Sequence, residues 1–347
     1  MRVLERLDEL YAIGGGLGAN RPHGSPAEDE AHRLAASWLV DAGIEVEVDR
    51  HGNLFGHVRP ARSAETVSDT VSDACWIGSH LDTVPQGGRF DGTLGVVAAI
   101  EAVGRVGIGS VVVFRGEEVG CIGSRALVAA GGPLPRTFLE LHVEQGPVLA
   151  ARDAPVGVVT GIVGYARGEL VLGGRAGHAG TTPMAGREDA LVIAAAEIQR
   201  VRDAALAIDG AVATVGQVEV EPGGSNVIPS RVRLSLDVRA PDAARLDALI
   251  TAIGFEPGYR VEPAQFTGAA PQAFRDVVAA RDLPLVELAS GAGHDAGILA
   301  AAGVDAAMLF VRSLNGGVSH SPDELSSDED VALAVDVLAD ALAATTR

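Results

Sequence analysis

The chain has 347 residues, 47% of them hydrophobic, and a formal net charge of −19 at pH 7. This length exceeds what one hydrophobic core usually covers, so we expect two domains. The acidic balance argues against nucleic acid as a partner, because phosphate binding requires a basic surface. The sequence contains no lysine, which excludes enzymes that depend on a Schiff-base lysine or a phosphate-loop lysine.

Several features predict a cytoplasmic protein. The N-terminal segment, residues 1–16, is amphipathic and carries acidic residues, unlike a signal peptide. No apolar run is long enough to cross a bilayer, so we expect no membrane partner. The two cysteines, Cys75 and Cys121, are too few for a disulfide framework, which fits a reducing compartment.

The first part of the chain alternates helical patterns with short apolar runs. Residues 26–43 predict a helix and residues 44–58 a hairpin, and a polar surface loop is expected at 61–73. Three apolar strands follow, separated by helical segments: ACWIGSH, SVVVFRGEE and TFLELHVEQG. This alternation predicts an α/β fold with a mostly parallel sheet covered by helices on both faces.

The pattern changes near residue 157. Residues 158–264 contain alternating strands and two helices, which predict a small α+β domain with one open sheet face. From residue 265 the helices and continuous apolar strands return. We therefore predict one α/β domain in two pieces, residues 1–157 and 265–347, with the smaller domain inserted between them.

Polar side chains cluster at the carboxyl ends of the predicted parallel strands. The clusters are His80 with Asp82, Glu117 with Glu118, His142 with Glu144 and Gln145, and His320, while Asp91 begins the next helix. Ligands bind at the carboxyl ends of strands in open α/β sheets. Histidine, aspartate and glutamate are ligands for zinc and manganese. The set is larger than one ion needs, so it predicts a hydrolytic site for two divalent ions.

Spacing within the clusters indicates individual tasks. Asp82 follows His80 by two residues and is placed to accept the second ring N–H. Glu117 and Glu118 would repel each other, and a cation relieves this repulsion. One of them can bind metal while the other takes a proton from water. A single histidine at a strand end usually has only a structural role, so the argument depends on all the clusters together.

Seven segments, in order along nearly the whole chain, resemble the M20-type dinuclear metallo-amidohydrolases. They are GSHLDTVPQGGRFDG, RGEE, LELHVEQGP, AGHAGTTPM, GGSNVIPSRVRLSLDVRAPD, SGAGHDA and GGVSHSPDE. The HVEQGP segment together with SNVIP and DVR resembles one branch, which hydrolyses N-carbamoyl-L-amino acids, β-ureidopropionate and allantoate. Members of the family that resemble peptidases usually carry a carboxylate at the position of His142.

The resemblance implies two divalent ions per subunit, Zn²⁺ or Mn²⁺. The implied ligands are Asp91, bridging both ions, His80 and His142 on one ion, and Glu118 and His320 on the other. Glu117 would be the general base and acid, and Asp82 the partner of His80. The implied substrate is a small ureido or N-acyl amino acid, with an aminoacylase or dipeptidase activity as the alternative. A non-catalytic binding protein of the same fold is a different class, and it would predict a broken ligand set, whereas all five ligands and the base are present here. A third alternative, a single-zinc protease, would need an HExxH motif, which the sequence lacks.

The inserted domain is implied to act as a lid and to form a homodimer. Within it, His178 would stabilise the oxyanion, while Asn226 and Arg239 would bind the substrate. Gln145 would contact the ureido group. The segment between Glu118 and His142 is shorter than in this branch, and Tyr165 stands where the branch has glutamine, so the substrate pocket differs. The role of His294 stays open, and the sequence predicts surface positions for the remaining histidines: His23, His32, His51 and His57.

Overall fold

The computed structural model describes residues 2–58 and 74–345, so the loop expected at 61–73 lies outside the described residues. The helices are α1 (Arg2–Ala12), α2 (Pro26–Asp41), α3 (Thr93–Val106), α4 (Ile122–Ala129), α5 (Val148–Ala151), α6 (Ala190–Leu206), α7 (Ala243–Ile253), α8 (Ala269–Ala280), α9 (Asp295–Ala301) and α10 (Asp328–Thr345). The strands are β1 (Glu45–Val48), β2 (Leu54–His57), β3 (Cys75–His80), β4 (Ser110–Phe114), β5 (Thr137–Val143), β6 (Val156–Ile162), β7 (Gly164–Gly173), β8 (Gly177–His178), β9 (Val212–Glu221), β10 (Val227–Ile228), β11 (Arg231–Ala240), β12 (Pro257–Val261), β13 (Ala264–Gln265), β14 (Glu287–Ser290) and β15 (Asp305–Val311).

The chain forms two compact units. The first contains residues 1–161 and 265–347, and the second contains residues 162–264. The larger sheet has nine strands in the order β1-β2-β4-β3-β5-β15-β6-β13, and β14 pairs with β6. The four central strands, β4, β3, β5 and β15, are parallel, whereas β1, β2 and β6 pair antiparallel. The predicted α/β class with a mainly parallel sheet is confirmed.

Burial of the central strands explains their sequences. Strands β3 and β5 are buried along their whole length, which suits their continuous apolar runs. Side chains of α1, α2, α3 and α10 pack in the same hydrophobic cluster as these strands. Full burial of one valine or leucine contributes about 1.5–3 kcal/mol. This packing holds the central strands in place, and the polar residues that follow them lie at the carboxyl edge of the sheet.

The second unit is a four-stranded antiparallel sheet in the order β12-β7-β11-β9. Strand β11 alternates buried and less buried residues, as its sequence RVRLSLDVRA predicts. Its apolar side chains pack against helices α6 and α7, and its polar side chains lie on the other face. A separate short ribbon pairs β8 with β10.

Among the described residues, none of the helices combines the length and the apolar character needed to cross a membrane.

Candidate metal centre

Three neighbouring strands bring the predicted ligands to one edge of the sheet. His80 is the last residue of β3, His142 lies near the end of β5, and the Glu117–Glu118 pair follows β4. Asp91 precedes α3, whose N-cap is Gly92 with φ of +61°. A Cβ atom on Gly92 would lie 2.3 Å from the His80 ring, so a glycine is required where this backbone passes the ring.

Two groups of ligand atoms share Asp91. The groups are His80, Asp91 and His142, and Asp91, Glu118 and His320, and within each group the ligand atoms lie within 4.8 Å of one another. Asp91 Oδ1 lies 3.2 Å from His142 Nε2, whereas Asp91 Oδ2 lies 3.5 Å from His320 Nε2. The two carboxylate oxygens thus face different groups, which is the arrangement of a bridging carboxylate.

The donor atoms fit cations. His80 Nδ1 lies 3.1 Å from the carbonyl oxygen of Asp82 and donates to it, so Nε2 is the ring nitrogen on which a cation can replace a proton. His142 Nδ1 lies 3.0 Å from the Val143 carbonyl oxygen and is oriented in the same way. Among the described residues, no hydrogen-bond partner reaches the buried His80 Nε2 or Glu118 Oε1. Unsatisfied buried polar atoms are unfavourable, and divalent ions would satisfy these.

The electrostatics of the centre favour positive charge. Burial lowers the pKa of His80, but attraction by Glu117, Asp82 and Asp91 outweighs burial and raises that pKa well above its usual value. Burial raises the pKa of Glu118, and repulsion by Asp91 raises it further. The described side chains therefore concentrate more negative charge than they neutralise, which a pair of divalent ions would correct.

Asp82 organises more of the centre than its spacing indicated. Its Oδ1 lies 3.4 Å from His80 Nδ1 and accepts the backbone N–H of Glu117 at 3.1 Å, and its Oδ2 accepts that of Glu118 at 3.1 Å. Burial would raise the pKa of Asp82, but these hydrogen bonds and the attraction of His80 lower it. One carboxylate therefore orients both a histidine and the adjacent glutamates.

Glu117 belongs to neither ligand group but lies beside both. It is buried, and its Oε2 lies 3.7 Å from His80 Nε2. Burial, with repulsion from Asp295 and Glu118, raises the pKa of Glu117 well above its usual value although His80 opposes this. A carboxyl group of raised pKa can accept and return a proton near neutral pH.

His294, whose role stayed open, is part of this centre. It is buried, its Nδ1 lies 3.5 Å from Glu117 Oε1, and its ring centroid lies 4.4 Å from that of His142. Its Nε2 lies 2.9 Å from Ser290 Oγ. It precedes α9, but its side chain does not cap that helix.

Sequence reasoning missed several buried acids around the centre. Glu140 accepts hydrogen bonds from Ser79 Oγ at 2.7 Å and from the Ala296 N–H at 3.2 Å. Burial and repulsion by Glu140 raise the pKa of Asp295 to about 8. The signal for Glu140 was available, because it is an acid within the apolar run TFLELHV. Glu324 accepts the N–H groups of residues 90 and 91.

His32 was expected on the surface, and this was wrong. It is 5% exposed, because it lies on the face of α2 that packs inward together with Ala31 and Ala35. The physical reason is helical periodicity: the buried residues of α2 recur at spacings of three and four.

The other predicted site residues belong to the second unit. His178 Nδ1 accepts the N–H groups of Gly180 and Thr181 at 3.0 and 3.2 Å, which places the proton of the neutral ring on Nε2. Asn226 lies on the neighbouring chain segment, where its carbonyl oxygen accepts the N–H of Ala179 at 2.9 Å.

Arg239 lies on the polar face of the second unit's sheet. Its Nε donates to Asp237 Oδ1 at 2.8 Å, and its guanidinium lies 5.4 Å from the centroid of the Tyr165 ring. Both contacts orient the guanidinium.

The fold places two candidate groups of metal ligands and a buried carboxyl group at one edge of a mainly parallel sheet, an arrangement suited to metal-assisted hydrolysis. Residues 76–344 match the model of Peptidase family M20/M25/M40, and the chain belongs to this family. It is 35% identical over 402 aligned positions to an N-carbamoyl-L-amino acid amidohydrolase of Geobacillus stearothermophilus, covering 97% of this chain and 96% of the relative.

Further relatives extend the comparison. A probable allantoate deiminase of Oryza sativa subsp. japonica is 30% identical, over 94% of this chain and 84% of the relative. The crystal structure of an amidase of the hydantoinase/carbamoylase family from Burkholderia multivorans superposes with a TM-score of 0.87 at 29% identity, covering 99% of this chain and 97% of that one. The chain is therefore a hydrolase of amide bonds, as the sequence predicted.

Proposed function

We propose that the chain hydrolyses a linear amide bond in an N-carbamoyl-L-amino acid or an allantoate-type ureido substrate. The observation that carries this proposal is the Asp91 carboxylate, whose oxygens face two separate ligand groups next to the buried Glu117. The choice of substrate is supported by His142, which stands where peptidase-like relatives carry a carboxylate. Two relatives also support this choice, because one is named as an N-carbamoyl-L-amino acid amidohydrolase and the other as a probable allantoate deiminase.

We assign the ions to the two groups. His80, Asp91 and His142 would hold one divalent ion, and Asp91, Glu118 and His320 the other, with Zn²⁺ or Mn²⁺ suited to these donors. When bound, the ions supply acidification of a water molecule and polarisation of the substrate carbonyl group.

In this reaction Glu117 moves the proton. Its carboxylate takes a proton from the attacking water, and the water oxygen forms a bond to the carbamoyl carbon. Glu117 then donates that proton to the leaving nitrogen as the C–N bond breaks. An N-carbamoyl amino acid gives ammonia and a carbamic acid, which decomposes to carbon dioxide and the free amino acid. Asp82 keeps the backbone of Glu117 in place during both transfers.

The residues of the second unit would bind the substrate. The Nε2–H of His178 is assigned to the developing oxyanion, because its other ring nitrogen is occupied by backbone donors. Arg239 is assigned to the substrate carboxylate, for which a planar guanidinium is suited, and Asn226 to the polar groups beside it.

A homodimer formed through the second unit is also part of the proposal. Helix α6 exposes apolar side chains at Leu191, Val192 and Ile193, and strand β9 at the edge of the sheet exposes Val212 and Val218. Exposed apolar side chains beside an open strand edge are typical of an interface. Light scattering after gel filtration should give twice the chain mass, and Val192→Asp should lower it to the mass of one chain.

The substrate proposal is tested with a panel on metal-reconstituted enzyme. The panel contains N-carbamoyl amino acids, allantoate, N-acetyl amino acids and dipeptides, and it measures ammonia separately from free amino acid. We expect ammonia release from a ureido substrate. Cleavage of dipeptides or N-acetyl amino acids without ammonia release from any ureido substrate would overturn the proposal in favour of an aminoacylase or dipeptidase.

A further inference from the structure

A closed ring of hydrogen bonds begins and ends at Asp91. Gln145 Nε2 donates to Asp91 Oδ2 at 2.9 Å and to Ser319 Oγ at 3.0 Å. Ser319 donates its hydroxyl hydrogen to Glu324 Oε2 at 2.9 Å. Glu324 Oε1 accepts the backbone N–H of Asp91 at 3.0 Å. Three side chains thus connect the carboxylate of Asp91 to its own backbone.

Each member of the ring has a defined role as donor or acceptor. A carboxylate can only accept, so the amide of Gln145 must present its nitrogen to Asp91, and its two hydrogens match its two acceptors. The hydroxyl of Ser319 has one hydrogen. It lies closer to Glu324 Oε2 than to Asp91 Oδ2, which is 3.4 Å away. Reversing the amide would place its oxygen against the Asp91 carboxylate, which is unfavourable.

The ring is held from outside as well. Gln145 has φ of +57°, an uncommon conformation for a residue with a side chain, and its backbone N–H donates to Ser313 Oγ at 3.1 Å. Glu324 is 5% exposed, and a Cβ atom added at Gly88 would lie 2.2 Å from its carboxylate. The chain therefore leaves no room at Gly88 for a side chain, and Glu324 is fixed against the loop that carries Asp91.

We propose that Gln145, Ser319 and Glu324 are positioning residues that fix the orientation of the Asp91 carboxylate. Asp91 Oδ1 faces His142 and Asp91 Oδ2 faces His320 only in this orientation. A rotated carboxylate would turn both oxygens away from one group, so the ring determines whether the second ion binds. This inference rests on the proposed function, because it requires ions at both groups. In this inference Gln145 orients the carboxylate of Asp91, whereas the resemblance implies that Gln145 contacts the ureido group of the substrate.

The test titrates Mn²⁺ alone into metal-free protein and follows binding by equilibrium dialysis and electron paramagnetic resonance. We expect the wild type to bind two ions whose spins couple through the shared carboxylate. Gln145→Leu and Ser319→Ala should keep the first ion, bind the second at least about tenfold more weakly and lose the coupling signal. Their kcat at fixed Mn²⁺ should fall while KM changes little.

Two matched variants separate positioning from general damage. Ser319→Thr keeps the hydroxyl group and should restore the binding of the second ion. Ser321 lies in the same loop as Ser319, and its hydroxyl group accepts the N–H of Asp323. The Ser321→Ala variant loses this hydroxyl group and should bind Mn²⁺ like the wild type. Circular dichroism of the metal-free proteins checks folding. If Gln145→Leu does not fold, Ser319→Ala carries the test, because it removes a single hydroxyl group.

The outcomes distinguish the two proposals. Wild-type protein that binds two ions, with Ser319→Ala unchanged in affinity and coupling, would overturn this inference alone. A Gln145→Leu variant with raised KM but unchanged Mn²⁺ binding would show that Gln145 binds substrate, which also overturns it. A wild-type chain that binds no Mn²⁺ at these groups would overturn the proposed function and this inference with it.

Discussion

The two ligand groups share Asp91 but lie in different surroundings. In the first group the side chains of His80 and His142 are 0% and 1% exposed, whereas the side chain of His320 in the second group is 52% exposed. Both buried rings also bond a backbone carbonyl group. Ligands that are already buried and oriented need little rearrangement, so we expect the first group to bind its ion more tightly.

The difference follows from the elements that carry the ligands. His80 and His142 lie on adjacent strands of the central sheet, and core packing fixes their backbones. Glu118 and His320 lie in loops, and His320 has φ of +53°. Loops are more mobile than the strands they join. We therefore expect ion exchange and substrate entry to be easiest at the second group, which contains the exposed His320.

The largest effect is expected from Glu117→Gln, which removes the proposed proton acceptor and leaves both ligand groups complete. We expect kcat to fall by about 10²–10⁴-fold, the usual contribution of a general base. Metal content measured by mass spectrometry should stay at two ions per chain. Normal turnover in this variant would disprove the assigned role, and loss of ions would mean that Glu117 is a ligand.

Ligand removal tests the comparison directly. His320→Ala should retain one ion after dialysis against a weak chelator, because the buried group remains complete. His142→Ala should lose the tightly held ion, and its remaining ion should leave under the same dialysis. Metal analysis of both proteins measures this difference. Retention of one ion by His142→Ala and none by His320→Ala would reverse the assigned order of affinity.

A smaller effect is expected from Asp82→Asn, because an amide cannot accept from His80 and both backbone N–H groups as a carboxylate does. We expect about 10–100-fold weaker binding of the first ion, as for other residues that orient metal ligands. Competition with a fluorescent zinc chelator measures this affinity. Asp336→Asn, a half-exposed carboxylate on α10, is the control and should bind like the wild type.

Acid pH is expected to destabilise the folded chain through the buried His32. Burial, with repulsion by Arg115, lowers the pKa of His32 to about 3. The unfolded chain has a histidine pKa of about 6.5, so between these values it binds more protons than the folded chain. His32 therefore has no effect on the free energy of unfolding above pH 6.5, and it lowers that free energy by roughly 1 kcal/mol per pH unit between pH 6.5 and about pH 3.

His32→Leu should remove this part of the pH dependence. Urea unfolding of the metal-free wild type and variant at pH 7 and pH 5 measures it. We expect the wild type to lose more stability than the variant on acidification. Equal losses in the two proteins would show that His32 does not titrate on unfolding.

The fold could be predicted because its signals are local. Short and mostly apolar runs such as residues 75–80 and 137–143 are typical of buried strands, and the helical patterns between them favour parallel pairing. The carboxyl ends of parallel strands lie at one edge of a sheet, so the polar residues that follow these strands could be predicted to lie close together. The prediction for His32 was wrong because histidines are usually exposed. The helical periodicity of α2, which places His32 on the buried face, was the better signal.

The ring around Asp91 could not be predicted in the same way. Gln145 and Ser319 are far apart in the chain, and their contact depends on loop conformations that hydrophobic patterning does not encode. The positive φ at Gln145 and the close approach of Glu324 to Gly88 arise from tertiary packing. The segment that contains Glu324 was matched in the resemblance, but its hydrogen bonds to the backbone of Asp91 are visible only in three dimensions.

We propose that two ions bind on either side of the Asp91 carboxylate. Anomalous diffraction from crystals of the Zn²⁺- or Mn²⁺-loaded protein would locate these ions. We expect two peaks per chain, one beside Asp91 Oδ1 with His80 and His142 and one beside Asp91 Oδ2 with Glu118 and His320. Peaks elsewhere, or ordered ligand side chains with no ion between them, would contradict this proposal.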